Sequence, residues 1–174
     1  DDPSGTPVTK KVTVGELRRT PMVVLTKTTG ANQDVGGANG TEVWWSWDVQ
    51  DFIDTEEFTH STVTNNTRIT VVEAGVYRIK FIGNIQQTGS ARTTMQGIFR
   101  INGGSTQLKG TIRDYSRGSA YGNLTAGLEF VVSLSASDYI EVGSKVEDTD
   151  SSYSLYNCDG TEVTAGESVV MIEK

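Results

Sequence analysis

A chain of 174 residues fits one domain, which buries roughly 70% of its unfolded surface and stands without staples. Its single cysteine, Cys158, excludes an intrachain disulfide framework, so stability has to come from packing or association. A net charge of −7 argues against a nucleic-acid binder, which needs a positive surface. No apolar run approaches the roughly 20 residues of a membrane span, so no membrane insertion is expected.

The cysteine-poor composition suits a protein made, or a particle assembled, in a cytoplasm. The first residue is Asp1 rather than Met, which reads as a processed product or one piece of a longer polypeptide. Charge is unevenly spread. From Arg68 to Arg117 there are eight basic residues against two acidic ones, whereas from Asp138 onward nine acidic residues face two basic ones. Either the fold interleaves these segments, or they form a seam between subunits or a basic patch for an anionic glycan.

Residues 1–19 are polar, with Pro3, Gly5 and Pro7 early and no core-forming period. They read as an arm or linker whose order depends on a partner, and residues 20–174 as the folded domain. Met22, Val23, Val24 and Leu25 open a first strand, and a glycine-rich loop follows over residues 30–40. Of the three tryptophans in the next strand, Trp45 and Trp47 share one face and Trp44 takes the other. Such aromatics fill a core or stack on a sugar ring. His60, the only histidine, sits between Thr59 and Ser61 and reads as a solvated strand position rather than a catalytic base. Asp54, Glu56 and Glu57 form an acidic cluster with nothing nearby to raise a pKa.

Residues 68–87 are the most regular part of the chain. Two runs of β-branched and aromatic residues flank Glu73-Ala74-Gly75, the kind of break that joins two strands. In the second run Tyr77, Ile79 and Phe81 alternate with Arg78 and Lys80, a period of two that puts the large apolar groups on one face.

Residues 93–102 form another strand, and Asn102-Gly103-Gly104 gives a hairpin signal with residues 105–114 as the return. A loop over residues 115–123 precedes a second alternating run. Here Leu128, Phe130, Val132 and Leu134 lie on one side and Glu129, Val131, Ser133 and Ser135 on the other. Ala136-Ser137-Asp138 turns the chain into residues 139–146, with Ile140 and Val142 on one face. Residues 147–160 are acidic and hydroxyl-rich. Residues 168–172 make a last apolar strand that docks the C-terminus in the sheet.

About ten short strands with glycine-rich turns and no amphipathic helix predict an all-β, antiparallel sandwich. No G-x-S-x-G, H-E-x-x-H or phosphate-cradling loop occurs, so neither an enzyme nor a cofactor is expected. Asp148, Asp150 and Asp159 lie close together but lack EF-hand spacing, which predicts a solvated acidic loop rather than a metal site. The N-x-[ST] sites at Asn39, Asn65 and Asn123 matter only for a protein secreted by a eukaryote.

The strand GVYRIKF resembles the G-x-Y-x-[FIV]-x-[FY] strand of jelly rolls of the tumour-necrosis-factor and complement globular-head type. The run LEFVVSLSASDYIEV is similar to their V-x-L-x-x-G-D-x-[IV]-x-[LV] hairpin, with Ser137 in the usual glycine position, and SVVMIEK resembles their final strand. The likeness covers residues 20–174 and is more specific for fold than for function. Narrower stretches, WDVQDFIDTEEFTH and DDPSGTPVTKKVTVGEL, are similar to head fibres, tail fibres and decoration proteins of tailed bacteriophages. The collagen-like stalk usual in secreted complement-type members is missing.

What this resemblance implies is a TNF-like homotrimer. It would be a structural fibre-tip or capsid-decoration module of a phage virion, joined to other virion proteins through residues 1–19 and contacting a host cell-surface glycan. The alternative is a secreted or surface complement-type module that recognises a glycan or protein. In the family the backs of the two alternating strands approach the threefold axis. That makes Val76, Arg78, Lys80, Ile82, Glu129 and Val131 the expected trimer interface, with Arg78 or Lys80 paired to Glu129 of a neighbour. Tyr77, Ile79, Phe81, Leu128, Phe130, Val132 and Leu134 are then the core. Tyr115, Arg117 and Tyr121 are the candidate ligand contacts in the distal loops.

Overall fold

The computed structural model describes residues 20–27, 33–36, 38–87, 93–116, 122–147, 156–158 and 168–174. Within them the strands are β1 (Met22–Thr26), β2 (Gln33–Asp34), β3 (Glu42–Trp44), β4 (Val49–Ile53), β5 (Phe58–Thr59), β6 (Ile69–Val71) and β7 (Gly75–Gln87). There follow β8 (Thr93–Ile101), β9 (Thr111–Ser116), β10 (Gly122–Leu134), β11 (Tyr139–Val146), β12 (Tyr156–Cys158) and β13 (Val169–Glu173). The described residues contain no helix.

Ten strands form one continuous antiparallel path, β4-β1-β13-β7-β10-β9-β8-β11-β6-β5. It folds into two facing sheets. The first is β4-β1-β13-β7-β10, with the short β12 on β7 and β2 on β12; the second is β8-β11-β6-β5, with β3 on β11. β9 ties them together, because Thr111 and Ile112 pair with β10 whereas Arg113 to Ser116 pair with β8. The crossing brings β8 so near β10 that a Cβ on Gly97 would lie 2.0 Å from the carbonyl oxygen of Gly127. Only a glycine fits there. The C-terminal strand is docked between β1 and β7, as the apolar run over residues 168–172 predicts.

Two expectations about neighbours are corrected. β6 and β7 flank Glu73-Ala74-Gly75, yet they do not pair: β6 lies beside β5 and β11, and β7 lies between β13 and β10. The same holds for β10 and β11 around Ala136-Ser137-Asp138. Both turns are corners that carry the chain from one sheet to the other. They meet each other, with Val71 N donating to Asp138 O and Ser137 N to Val71 O, each at 2.9 Å. Alternation reports which face a residue takes, and a strand on either sheet satisfies it equally well.

The turn chemistry itself is as read. Ser137 has φ +70°, the left-handed conformation for which the resembling family uses glycine. Asn102 and Gly103 have φ 54° and 65°, and Gly104 N closes the turn on Ile101 O at 2.9 Å, the arrangement of a tight hairpin. The return from it is less regular than expected. Gln107 pairs with Phe99 as an isolated bridge, and β9 begins only at Thr111.

The core lies between the sheets. Tyr77, Ile79, Phe81, Leu128, Phe130 and Leu134 are buried, and Val132 is partly buried against them. Trp45 and Trp47 are fully buried beside Phe81, with ring centroids 5.0 and 6.0 Å from it in edge-on contact. This decides between the two readings of the tryptophans in favour of packing. The indole of Trp45 occupies the space that a side chain on Gly83 would need, 2.3 Å from Cη2. Its Nε1 donates to Ser144 Oγ at 3.0 Å. Phe99 stacks on Phe130 at 3.9 Å, so both sheets contribute aromatics to one cluster.

The uneven charge along the sequence is interleaved in space. Arg100 pairs with Glu141, Arg113 with Glu147, and Arg68 lies 3.8 Å from Glu141. Basic residues of the middle of the chain meet acidic residues of its last third.

Candidate functional site

β7 and β10 are paired over all 13 residues, from Leu134 opposite Gly75 to Gly122 opposite Gln87. With Tyr77, Ile79 and Phe81 turned inward, pleating turns Val76, Arg78, Lys80 and Ile82 outward. Glu129, Val131 and Ser133 of β10 stand on the same outer face. Val76 and Val131 are 58% and 61% exposed, and Ile112 of β9, opposite Gly127, adds a third exposed apolar group at 47%. These three side chains are exposed apolar groups on the face that also carries Arg78, Lys80 and Glu129.

The residues of the expected ion pair already meet within one chain. Arg78 bonds Glu129 of its own chain, Nε to Oε1 at 2.9 Å with Nη2 on the same oxygen. Arg78 is opposite Val131 and Glu129 opposite Lys80, so the longer guanidinium reaches diagonally. The Arg78 hydrogen bond and charge hold the Glu129 carboxyl below its usual range, and Glu129 raises the guanidinium in turn. Glu173 of β13 lies 4.0 Å from Arg78. Neither Ile112 nor Glu173 is singled out by the sequence. Glu173 is signalled by the alternation of Val170 and Ile172 inward, whereas Ile112 joins this face only through the register of β9.

A second arrangement lies on the outer surface of the other sheet. The segment between β5 and β6 borders an open surface cleft of about 320 Å³, lined by Thr59, His60, Ser61, Thr64, Asn65, Arg68, Thr70 and, from the start of β11, Tyr139. Beneath it Glu141 is buried and held by Arg100 Nε at 2.5 Å and Thr67 Oγ1 at 2.6 Å. Burial alone would raise its carboxyl. The hydrogen bonds from Arg100 and Thr67, with the charges of Arg100 and Arg68, outweigh that and hold it below the usual range.

His60 is half-buried, not freely solvated. Its Nε2 faces Asn66 O at 3.2 Å and must donate, so Nδ1 accepts from Gln50 Nε2 at 3.1 Å. Burial lowers its pKa, against the Asn66 hydrogen bond. With both nitrogens engaged, the ring is a wall of the cleft.

Of the loop residues expected to contact ligand, Tyr115 lies on β9, 50% exposed and paired with Thr94. Arg117 and Tyr121 fall outside the described residues, as do residues 1–19, Asp148, Asp150 and Asp159. Among the described residues no group of three His, Cys, Asp or Glu side chains is placed to hold a metal ion.

No protein-family model matches the chain, and no curated protein matches its sequence. Solved structures do match. Eiger TNF from S. frugiperda is similar with a TM-score of 0.56 at 14% identity, over 90% of this chain and 93% of that one. The globular domain of zebrafish complement 1qA protein is similar with a TM-score of 0.50 at 10% identity, over 89% and 96%. The fold is a TNF-like jelly roll, as the strand motifs of the sequence imply.

Proposed function

We propose that this chain is a non-enzymatic head module that works as a homotrimer, joined across the outer face of β7, β9 and β10 and displayed from a larger assembly by residues 1–19. The exposure of Val76, Val131 and Ile112 around the Arg78–Glu129 pair carries this reading. Exposed apolar side chains flanking a pair that is already neutralised can be buried against a second copy at little electrostatic cost. The TNF-like fold supports it, since the resemblance implies a threefold assembly through these strands. For the assembly itself we favour the virion of a tailed bacteriophage, in a fibre tip or decoration protein that contacts the host surface. The likeness of residues 1–17 and 47–60 to such proteins supports that choice.

Sedimentation equilibrium across a micromolar concentration range tests the association. A mass of three chains is expected, and a single-chain mass throughout overturns it. Gold-labelled antibody on purified phage particles tests the location, with label on fibres or capsid expected and unlabelled particles opposing it.

A further inference from the structure

The cleft between the 60–68 segment and β11 lies on the sheet opposite the association face proposed above. Its volume of about 320 Å³ is within the range of small-ligand pockets. We propose that it binds a sugar bearing a carboxylate, with Arg68 taking the carboxylate and the hydroxyls of Thr59, Ser61, Thr64 and Tyr139 bonding the sugar hydroxyls.

Arg68 is built for this. Its guanidinium carbon lies 4.5 Å from the centroid of the Tyr139 ring, and its side chain is 41% exposed. Stacking fixes the plane of the fork, and a planar fork matches a carboxylate in two parallel hydrogen bonds. The nearest acid, Glu141, is 3.8 Å from Arg68 Nε and already takes hydrogen bonds from Arg100 and Thr67. Two guanidiniums therefore share one carboxylate, leaving a positive charge at the cleft in a chain of net charge −7. No carboxylate lines the cleft to repel an anion.

The remaining lining suits a polyol. Ser61 Oγ accepts from Val63 N at 3.3 Å and Thr64 N at 3.0 Å, so its own O–H is left to donate. Hydroxyls and the Asn65 amide act as both donors and acceptors, which sugar hydroxyls require. Both ring nitrogens of His60 are engaged, by Gln50 and Asn66, so the ring offers a ligand no free nitrogen.

The test is an amide chemical-shift titration of the ¹⁵N-labelled chain with glucuronate, glucose and acetate in parallel. Glucuronate is expected to shift the amides of residues 59–70 and Tyr139 saturably, with glucose and acetate each about tenfold weaker. Arg68→Gln should lower glucuronate affinity about tenfold and Arg68→Lys should recover part of it. Because Arg68 also faces Glu141, Ser61→Ala with Thr64→Val is the second variant, and it should weaken glucuronate but not acetate. Absent shifts with glucuronate overturn the site. Glucose binding as tightly as glucuronate overturns the carboxylate contact. Acetate matching glucuronate overturns the sugar, leaving an anion site only.

Discussion

Arg78 and Glu129 are bonded to each other within one chain, diagonally across the β7–β10 ladder. The pair is thereby satisfied before any partner arrives. It neutralises the centre of the outer face, so burying that face against a second copy covers a preformed pair. An unpaired charge there would oppose burial.

The apolar positions beside the pair should control association. Val76→Asp with Val131→Asp is expected to leave the β-sheet circular dichroism unchanged, since both side chains are exposed, and to lower the sedimenting mass. Glu129→Ala should weaken association less, leaving Arg78 with only Glu173, 4.0 Å away, as an acidic neighbour on the same face. Unchanged mass for the double aspartate variant would place the interface elsewhere.

Gly83 tests the indole packing. A methyl group there would meet Trp45 Cη2 at 2.3 Å and the Phe81 ring at 2.8 Å. Gly83→Ala should cost about 1–3 kcal/mol through overpacking, read by urea denaturation, with tryptophan fluorescence altered in the native state. A neutral result would mean that the ring shifts freely.

The Glu141 cluster makes stability depend on pH. Arg100→Met leaves a buried carboxylate short of its main partner and should destabilise by about 2–4 kcal/mol. The Glu141 carboxyl is held below its unfolded value, so the unfolded chain binds more protons. The contribution is fully present above about pH 4.3 and is lost as pH falls through the lower folded value. In Arg100→Met that acid-dependent loss should shrink. Melting temperatures from pH 2 to pH 7 for both proteins would show it, and parallel curves would refute it.

Ser137 occupies a left-handed position with φ +70°. Ser137→Gly should stabilise the chain by about 0.5–1 kcal/mol by removing the Cβ clash, less the extra entropy of the unfolded glycine. Thermal denaturation reads the gain, and a lower midpoint would mean that the serine side chain supports the corner.

The inward face of β7 and β10 was legible because pleating has a period of two and nothing in the tertiary structure alters it. The Asn102-Gly103 turn was legible too, since it carries its conformation in local chemistry, whereas the left-handed position of Ser137 followed only from the resemblance. The cleft was not. Thr59, Arg68 and Tyr139 meet there only because β5, β6 and β11 are neighbours, and His60 changes from a solvated position to a fixed neutral ring when Asn66 closes over it.

By itself, then, the sequence determined the all-β class and the inward side of the two long alternating strands. These follow from local sterics and from the alternation of apolar groups. Only the tertiary structure decided which strands lie beside one another. It turned the Glu73-Ala74-Gly75 break into a corner between sheets, brought Glu129 to Arg78 of its own chain and assembled a guanidinium and five hydroxyls around one cleft. Those outcomes depend on contacts between residues far apart in the chain, and their register is set by the whole core at once.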